Sequence, residues 1–170
     1  MSYKVKIKPI IFGGGQQKNM RSGTENVCGI MGLGAAVKRI FDNFDEDTAR
    51  MRGLREYMIK GLSECEGVTI NGADGDEGSP HIVSASVKGV RAEVLLHSLE
   101  EKGIYISSGS ACASNKPAVS ATLKAIGVDK ELLDSTVRFS FSVLTTKDEI
   151  DYALANFKET IEKLRLYVRR

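Results

Sequence analysis

Apolar positions follow three patterns along the chain, and glycines or capping residues mark each change between them. Val5, Ile7, Ile10, Ile11 and Phe12 first alternate and then run together, which predicts an extended segment ending at Gly13-Gly14-Gly15. A strand feeding three glycines points to unusual φ/ψ or to close approach of the backbone to something else. From Glu25 the period becomes helical. Val27, Ile30, Met31, Val37, Ile40, Phe41 and Phe44 make one stripe, with Thr24 in the N-cap place and Glu25 favourable in the first turn. Gly29, Gly32 and Gly34 each cost such a helix about 1 kcal/mol against alanine, which predicts that they serve close packing. Asp45 is expected to cap a second helix with Met51, Leu54, Met58 and Leu62 inward, and Gly67 follows as its stop signal.

Shorter elements come next. Strands are expected over 68–71, 81–87, 104–107 and 136–142, the last alternating cleanly as T-V-R-F-S-F-S. Helices are expected over 91–102, with Val94, Leu95 and Leu99 inward, and over 117–126, opened by Pro117. The last helix begins on Thr146-Lys147-Asp148-Glu149, a capping-box pattern, and runs to about Tyr167. The fold class is therefore α/β of the α+β kind: a small, largely antiparallel sheet covered by helices, with a long N-terminal helix. Residues 1–24 fit that domain poorly and read as the edge of another, whereas 25–170 read as an autonomous core.

Composition narrows the classes. With 170 residues, 42% of them apolar and 27% charged, the chain has the size and content of one folded domain, not of a disordered one. No apolar run approaches the roughly 20 residues of a membrane span, and no secretory signal pattern opens the chain, so a soluble, cytoplasmic protein is expected. Twenty-four basic against 22 acidic residues leave +2, spread evenly, and aromatics are only 6%. Nucleic-acid binding would need a basic stripe with interleaved aromatics, and none is present.

Candidate chemistry then concentrates in a few places. The three cysteines, Cys28, Cys65 and Cys112, form no CxxC pair, which argues against a disulfide framework and a four-cysteine metal site. Residues 107–115, S-S-G-S-A-C-A-S-N, are all small or polar around one soft nucleophile, so Cys112 is expected on an open loop where a thiolate can react. Cys28 reads as a small packing residue and Cys65 as a helix-end residue whose thiol Glu64 and Glu66 would keep protonated. Arg138 sits in a strand between Val137 and Phe139, placed as a bidentate carboxylate clamp or as a solvent-facing arginine. His81 and His97 lack partners at ligand spacing, so no metal site is expected. Arg21-Ser22-Gly23-Thr24, just before a helix start, suits either a phosphate or plain capping.

Taken together, G-G-G-Q-Q-x-x-x-M-R-S-G-T, S-S-G-S-A-C-A-S and V-R-F-S-F-S followed by T-T-K-D-E-I-D resemble the C-terminal part of pyridoxal-phosphate-dependent cysteine desulfurases of the NifS/IscS kind, class-V aminotransferase relatives. The resemblance runs from about Lys8 to Leu164, and the long cysteine loop is similar to that of the family's first group. It implies the small domain of a fold-type I transferase, preceded by a larger domain to which residues 1–24 would belong. It implies conversion of L-cysteine to L-alanine, with Cys112 taking the sulfur as a persulfide, Arg138 clamping the substrate carboxylate and Thr24 reaching the cofactor phosphate of the other subunit. A homodimer and a sulfur acceptor such as an iron–sulfur scaffold follow from the same resemblance. Two departures stand out: Gln17 replaces a commonly acidic residue, and no lysine here follows Ser or His as the family's Schiff-base lysine does. The chain alone is accordingly expected to be inactive. Alternative readings are a non-catalytic sulfur-relay or docking module, and a selenocysteine lyase or other class-V relative.

Overall fold

The strands Val68–Asn71 (β1), Ile82–Val87 (β2), Ser107–Ser108 (β3) and Thr136–Ser140 (β4) pair antiparallel in the order β1-β2-β4-β3. The computed structural model describes residues 7–73, 75–108 and 120–167. The chain divides into two compact units, 1–44 and 45–170, and this sheet belongs to the second. Period-two alternation sorts its side chains by face. Val83, Ala85, Val87, Val137 and Phe139 are buried on one face, while Ser84, Ser86, Thr136 and Arg138 occupy the other. The register pairs Val83 with Phe139, Ala85 with Val137 and Ser84 with Arg138, so each face stays uniform from strand to strand.

Three helices close the apolar face: Phe44–Ser63 (α2), Ala92–Glu100 (α3) and Lys147–Leu166 (α5). Met58 and Leu62 of α2, Leu95 and Leu99 of α3, and Ile150, Phe157 and Ile161 of α5 complete one core. The rings of Phe139 and Phe157 meet edge-on, with centroids 5.7 Å apart, an arrangement worth about 0.5–1.5 kcal/mol beyond simple burial. Gly61 of α2 lets α5 come close: a Cβ there would lie 2.4 Å from Leu154 Cδ1. Thr146 caps α5 with the expected box, Glu149 N donating to its hydroxyl while the Glu149 carboxylate accepts from Thr146 N. A short helix, Ala121–Ala125 (α4), is capped by Ser120, which accepts from Leu123 N. No helix among the described residues is long and apolar enough to cross a membrane.

In the first unit, Val27–Asp42 forms a long helix (α1). Its N-cap is Asn26, whose side chain accepts from Gly29 N, and not Thr24. Gly29 is small for that reason: a Cβ there would lie 2.6 Å from Asn26 Nδ2. Gly32 and Gly34, expected to serve close packing, have nothing within 4 Å of where a Cβ would stand. The apolar stripe of α1 is exposed as well, Ile30 and Phe41 by 58% and 72%. A periodic apolar pattern shows that a helix has two different faces, but it does not show which surface covers one of them.

Other boundaries moved for local reasons. Val5 lies outside the described residues, and residues 7–12 form no strand, because an extended segment needs a neighbour to satisfy its backbone and among the described residues this one has a single backbone bond, Ser22 N to Ile11 O at 3.3 Å. Asn43 alone separates α1 from α2, so Asp45 lies in the first turn of α2 and not at its cap. The strand expected over 104–107 is paired only at Ser107 and Ser108. The helix expected over 117–126 is ordered as α4, and 117–119 fall outside the described residues.

Candidate functional site

Arg138 stands in the middle of β4, its side chain on the polar face and exposed to solvent. Its neighbours on that face are small. Ser84 of β2 lies directly opposite on one side and Ser107 of β3 on the other, while Asn71 of β1 pairs with Ser84 further out. The row Asn71–Ser84–Arg138–Ser107 therefore crosses the whole sheet as one arginine among short hydrogen-bonding side chains. Arg138 Nη2 donates to Ser107 Oγ at 3.4 Å, which directs the guanidinium toward β3, and the side chain is exposed among the described residues. Bidentate carboxylate recognition needs such a planar fork with its N–H groups open.

Thr136, two residues before Arg138 on the same face, is buried because the 3-10 segment Lys130–Ser135 covers it. Its hydroxyl donates to Leu132 O at 2.8 Å. That uses Thr136's proton, so Ser86 Oγ, 2.7 Å away, is the donor to Thr136 Oγ1, and Ser86 in turn accepts from Asn71 Nδ2 at 2.8 Å. One directed chain thus ties β1, β2 and β4 together alongside the Arg138 row.

Ser107 and Ser108 open the cysteine loop. Cys112 lies outside the described residues. Ser107, at the described start of that loop, pairs with Arg138. Beyond β4, Arg50 of α2 donates to Val143 O at 2.5 Å and to Thr145 O at 2.6 Å, fixing the turn that leads into α5.

Thr24 belongs to a different setting, within the first unit. Gln17, Lys18 and Asn19 all have φ between +51° and +64°, a left-handed turn that costs roughly 1–2 kcal/mol per residue outside glycine. Local bonds hold it: Ser22 Oγ donates to Gly14 O at 2.7 Å, Gly23 N to Gln16 Oε1 at 3.2 Å, and Gln17 Nε2 to Glu25 Oε1 at 3.1 Å. Strain of this kind gathers at functional sites. Thr24 follows the turn, exposed, its carbonyl taken by Arg21 Nη1 and its hydroxyl without a partner among the described residues. The Glu25 carboxyl is held below its ordinary range, chiefly by its own backbone N–H and then by the Gln17 amide.

The remaining candidates lie elsewhere. Cys28 is exposed on α1, not packed as expected. Cys65 is buried just past α2, where its thiol donates to Gly61 O at 3.6 Å; burial is the main cause that pushes its pKa up, Glu64 adding a smaller push against Lys158 and Arg165. His81 Nδ1 pairs with Ser79 Oγ at 3.0 Å and His97 Nδ1 with Glu100 Oε2 at 3.2 Å. Among the described residues no three His, Cys, Asp or Glu side chains gather as metal ligands would.

Residues 3–153 match the family described as aminotransferase class-V. The chain belongs to that family. Class-V relatives similar to it include cysteine desulfurases IscS of Vibrio atlanticus, 40% identical, and of Salmonella schwarzengrund, 38% identical, each over 95% of this chain. The chain spans about 39% of the length of these curated relatives. Among solved structures, a NifS-like protein superposes with a TM-score of 0.78 at 31% identity, covering 95% of this chain and 40% of its own. The NifS-like protein of Rickettsia africae gives 0.76 at 31% identity, covering 94% and 41%. The α+β small-domain fold expected for this class-V chain is the observed one.

Ser84, Ser107 and Asn71 escaped the sequence reading. Small polar residues alternate with apolar ones in V-S-A-S-V, which marks an outward face but not the register that sets Ser84 beside Arg138.

Proposed function

We propose that this chain is the small-domain portion of a pyridoxal-phosphate-dependent cysteine desulfurase, in which Cys112 is the sulfur-accepting nucleophile, Arg138 the clamp for the substrate carboxylate and Thr24 a contact for the cofactor phosphate. The observation that carries the reading is the pairing of Ser107 with Arg138, because it roots the cysteine loop on the strand that would bind substrate. The residues present suit part of the cofactor. Thr24 offers a hydroxyl without a partner among the described residues, after a strained turn, while none of the chain's lysines follows Ser or His. When bound, pyridoxal phosphate supplies the electron sink that makes the bonds around the substrate Cα labile. Arg138 would fix the carboxylate and so point the substrate thiol toward the loop. The Cys112 thiolate then attacks the substrate sulfur: a new S–S bond forms, the substrate Cβ–S bond breaks, and its electron pair, with a proton, completes the methyl group of alanine. The enzyme is left as the Cys112 persulfide, with no external oxidant or reductant needed.

The same reading makes residues 1–24 part of the larger cofactor-binding domain and Thr24 a residue that serves a second copy. It makes an iron–sulfur scaffold the class of sulfur acceptor and the cytoplasm the compartment. The test uses the protein's full reading frame, supplied with pyridoxal phosphate and L-cysteine, with alanine quantified and Cys112 followed by mass spectrometry. One alanine per Cys112 persulfide is expected, with Cys112→Ser abolishing the persulfide and Arg138→Ala raising KM for L-cysteine at least tenfold, as loss of a charge-assisted contact does. A persulfide accepted from a donor with no alanine formed would replace this reading by the relay one.

A further inference from the structure

We propose that Ser84 and Ser107 are carboxylate-binding residues that complete the Arg138 clamp, each donating its hydroxyl proton to the carboxylate the guanidinium holds. This rests on the reading of Arg138 as the clamp. Ser107 Oγ touches the guanidinium at 3.4 Å, and Ser84 stands directly opposite Arg138 on the other neighbouring strand, where opposed Cβ atoms are about 4.5–5.5 Å apart.

The direction of the hydrogen bonds leaves both protons available. Ser107 Oγ accepts from Arg138 Nη2 at 3.4 Å, and Ser84 Oγ accepts from Asn71 Nδ2 at 3.4 Å. Neither hydroxyl donates to any described residue, although both side chains are half-buried. The adjacent row behaves differently: there the Asn71, Ser86, Thr136 and Leu132 chain uses every hydroxyl proton, and Ser86 and Thr136 are buried. A half-buried hydroxyl whose oxygen is polarised by an N–H donor, and whose proton has no acceptor, is a donor held ready for an anion. Two of them near an open arginine supply donors for carboxylate lone pairs that the fork alone leaves unsatisfied. The small side chains also leave the arginine uncovered, so the row suits the α-carboxylate of a small amino acid.

The experiment measures competitive inhibition of the full-reading-frame protein, against L-cysteine, by L-alanine and by L-alaninamide, which lacks the carboxylate. Ser84→Ala and Ser107→Ala are each expected to weaken L-alanine about tenfold, the size of one lost hydrogen bond to a charged group, and to leave L-alaninamide unchanged. Ser84→Thr and Ser107→Thr should restore L-alanine binding. Ser86→Ala, which breaks only the buried chain, should lower the melting temperature without changing the ratio of the two inhibition constants. Should an alanine variant melt too early to assay, Ser→Cys, equal in size and a poor donor, takes its place with the same expected loss. Equal weakening of both inhibitors, or of neither, overturns the proposal. If Arg138→Ala also leaves L-alanine unaffected, the clamp itself is misassigned; if it weakens L-alanine while both serine variants do not, only the role of the serines fails.

Discussion

Arg55 shows how a single buried charge shapes the approach to the sheet. It is 4% exposed on α2, and its Nε and Nη2 donate to Ile82 O at 3.3 Å and Ala73 O at 2.9 Å, fastening both ends of the loop between β1 and β2. Gly78 accommodates it, since a Cβ there would lie 2.4 Å from Arg55 Nη2. Arg55→Met keeps the stem but removes the donors and leaves two carbonyls unsatisfied. The expected loss is about 2–3 kcal/mol, read as a lower midpoint in urea with an unchanged slope. Arg55 was invisible in the sequence, because a charged residue on an amphipathic helix ordinarily faces water. Arg138 was visible, because alternation in T-V-R-F-S placed it opposite Val137 and Phe139, and that expectation rested on one strand alone.

The contact between α3 and α5 carries a polar link at its edge as well as an apolar seam. Glu159 of α5 accepts from Lys163 Nζ at 2.5 Å, one turn on, and from Lys102 Nζ at 3.0 Å, just beyond α3. Those two hydrogen bonds, Lys163's first, hold the Glu159 carboxyl down to about 2. A carboxyl depressed in the folded state stabilises it fully above its unfolded value near 4.5 and loses that contribution as pH falls through the folded value. Wild type should therefore melt above Glu159→Gln at pH 6, with the difference closing between pH 4.5 and 2 and shrinking in high salt, because the pair is exposed. A difference that stayed constant down to pH 2 would refute the link. Caps were the most legible features at this scale: Thr146 and Glu149 were readable because a capping box is a local contract between residues three apart. The cap of α1 was misplaced by two residues, from Thr24 to Asn26, because several cap-competent residues crowd that stretch and only the three-dimensional path of the preceding turn selects one.

At the scale of the whole molecule, the buried core among the described residues lies between Met58 and Ile161, within the second unit. Residues 45–170 expressed alone should fold, with a far-UV spectrum of α+β type and a cooperative melt within a few degrees of that of the whole chain. A broad, non-cooperative melt would show that the core needs the first unit. Most elements of the second unit and the residue types on them were readable locally: periods of two and 3.6 arise from backbone geometry, and the small residues around Cys112 and the arginine in β4 are local facts. Tertiary structure decided which of these meet. Ser84, Arg138 and Ser107 are separated by dozens of positions, and only antiparallel pairing in the order β1-β2-β4-β3 sets them in one row. Register is a long-range choice, made when the apolar faces of three strands must turn together toward α2, α3 and α5, and the polar row on the opposite face is the consequence of that burial.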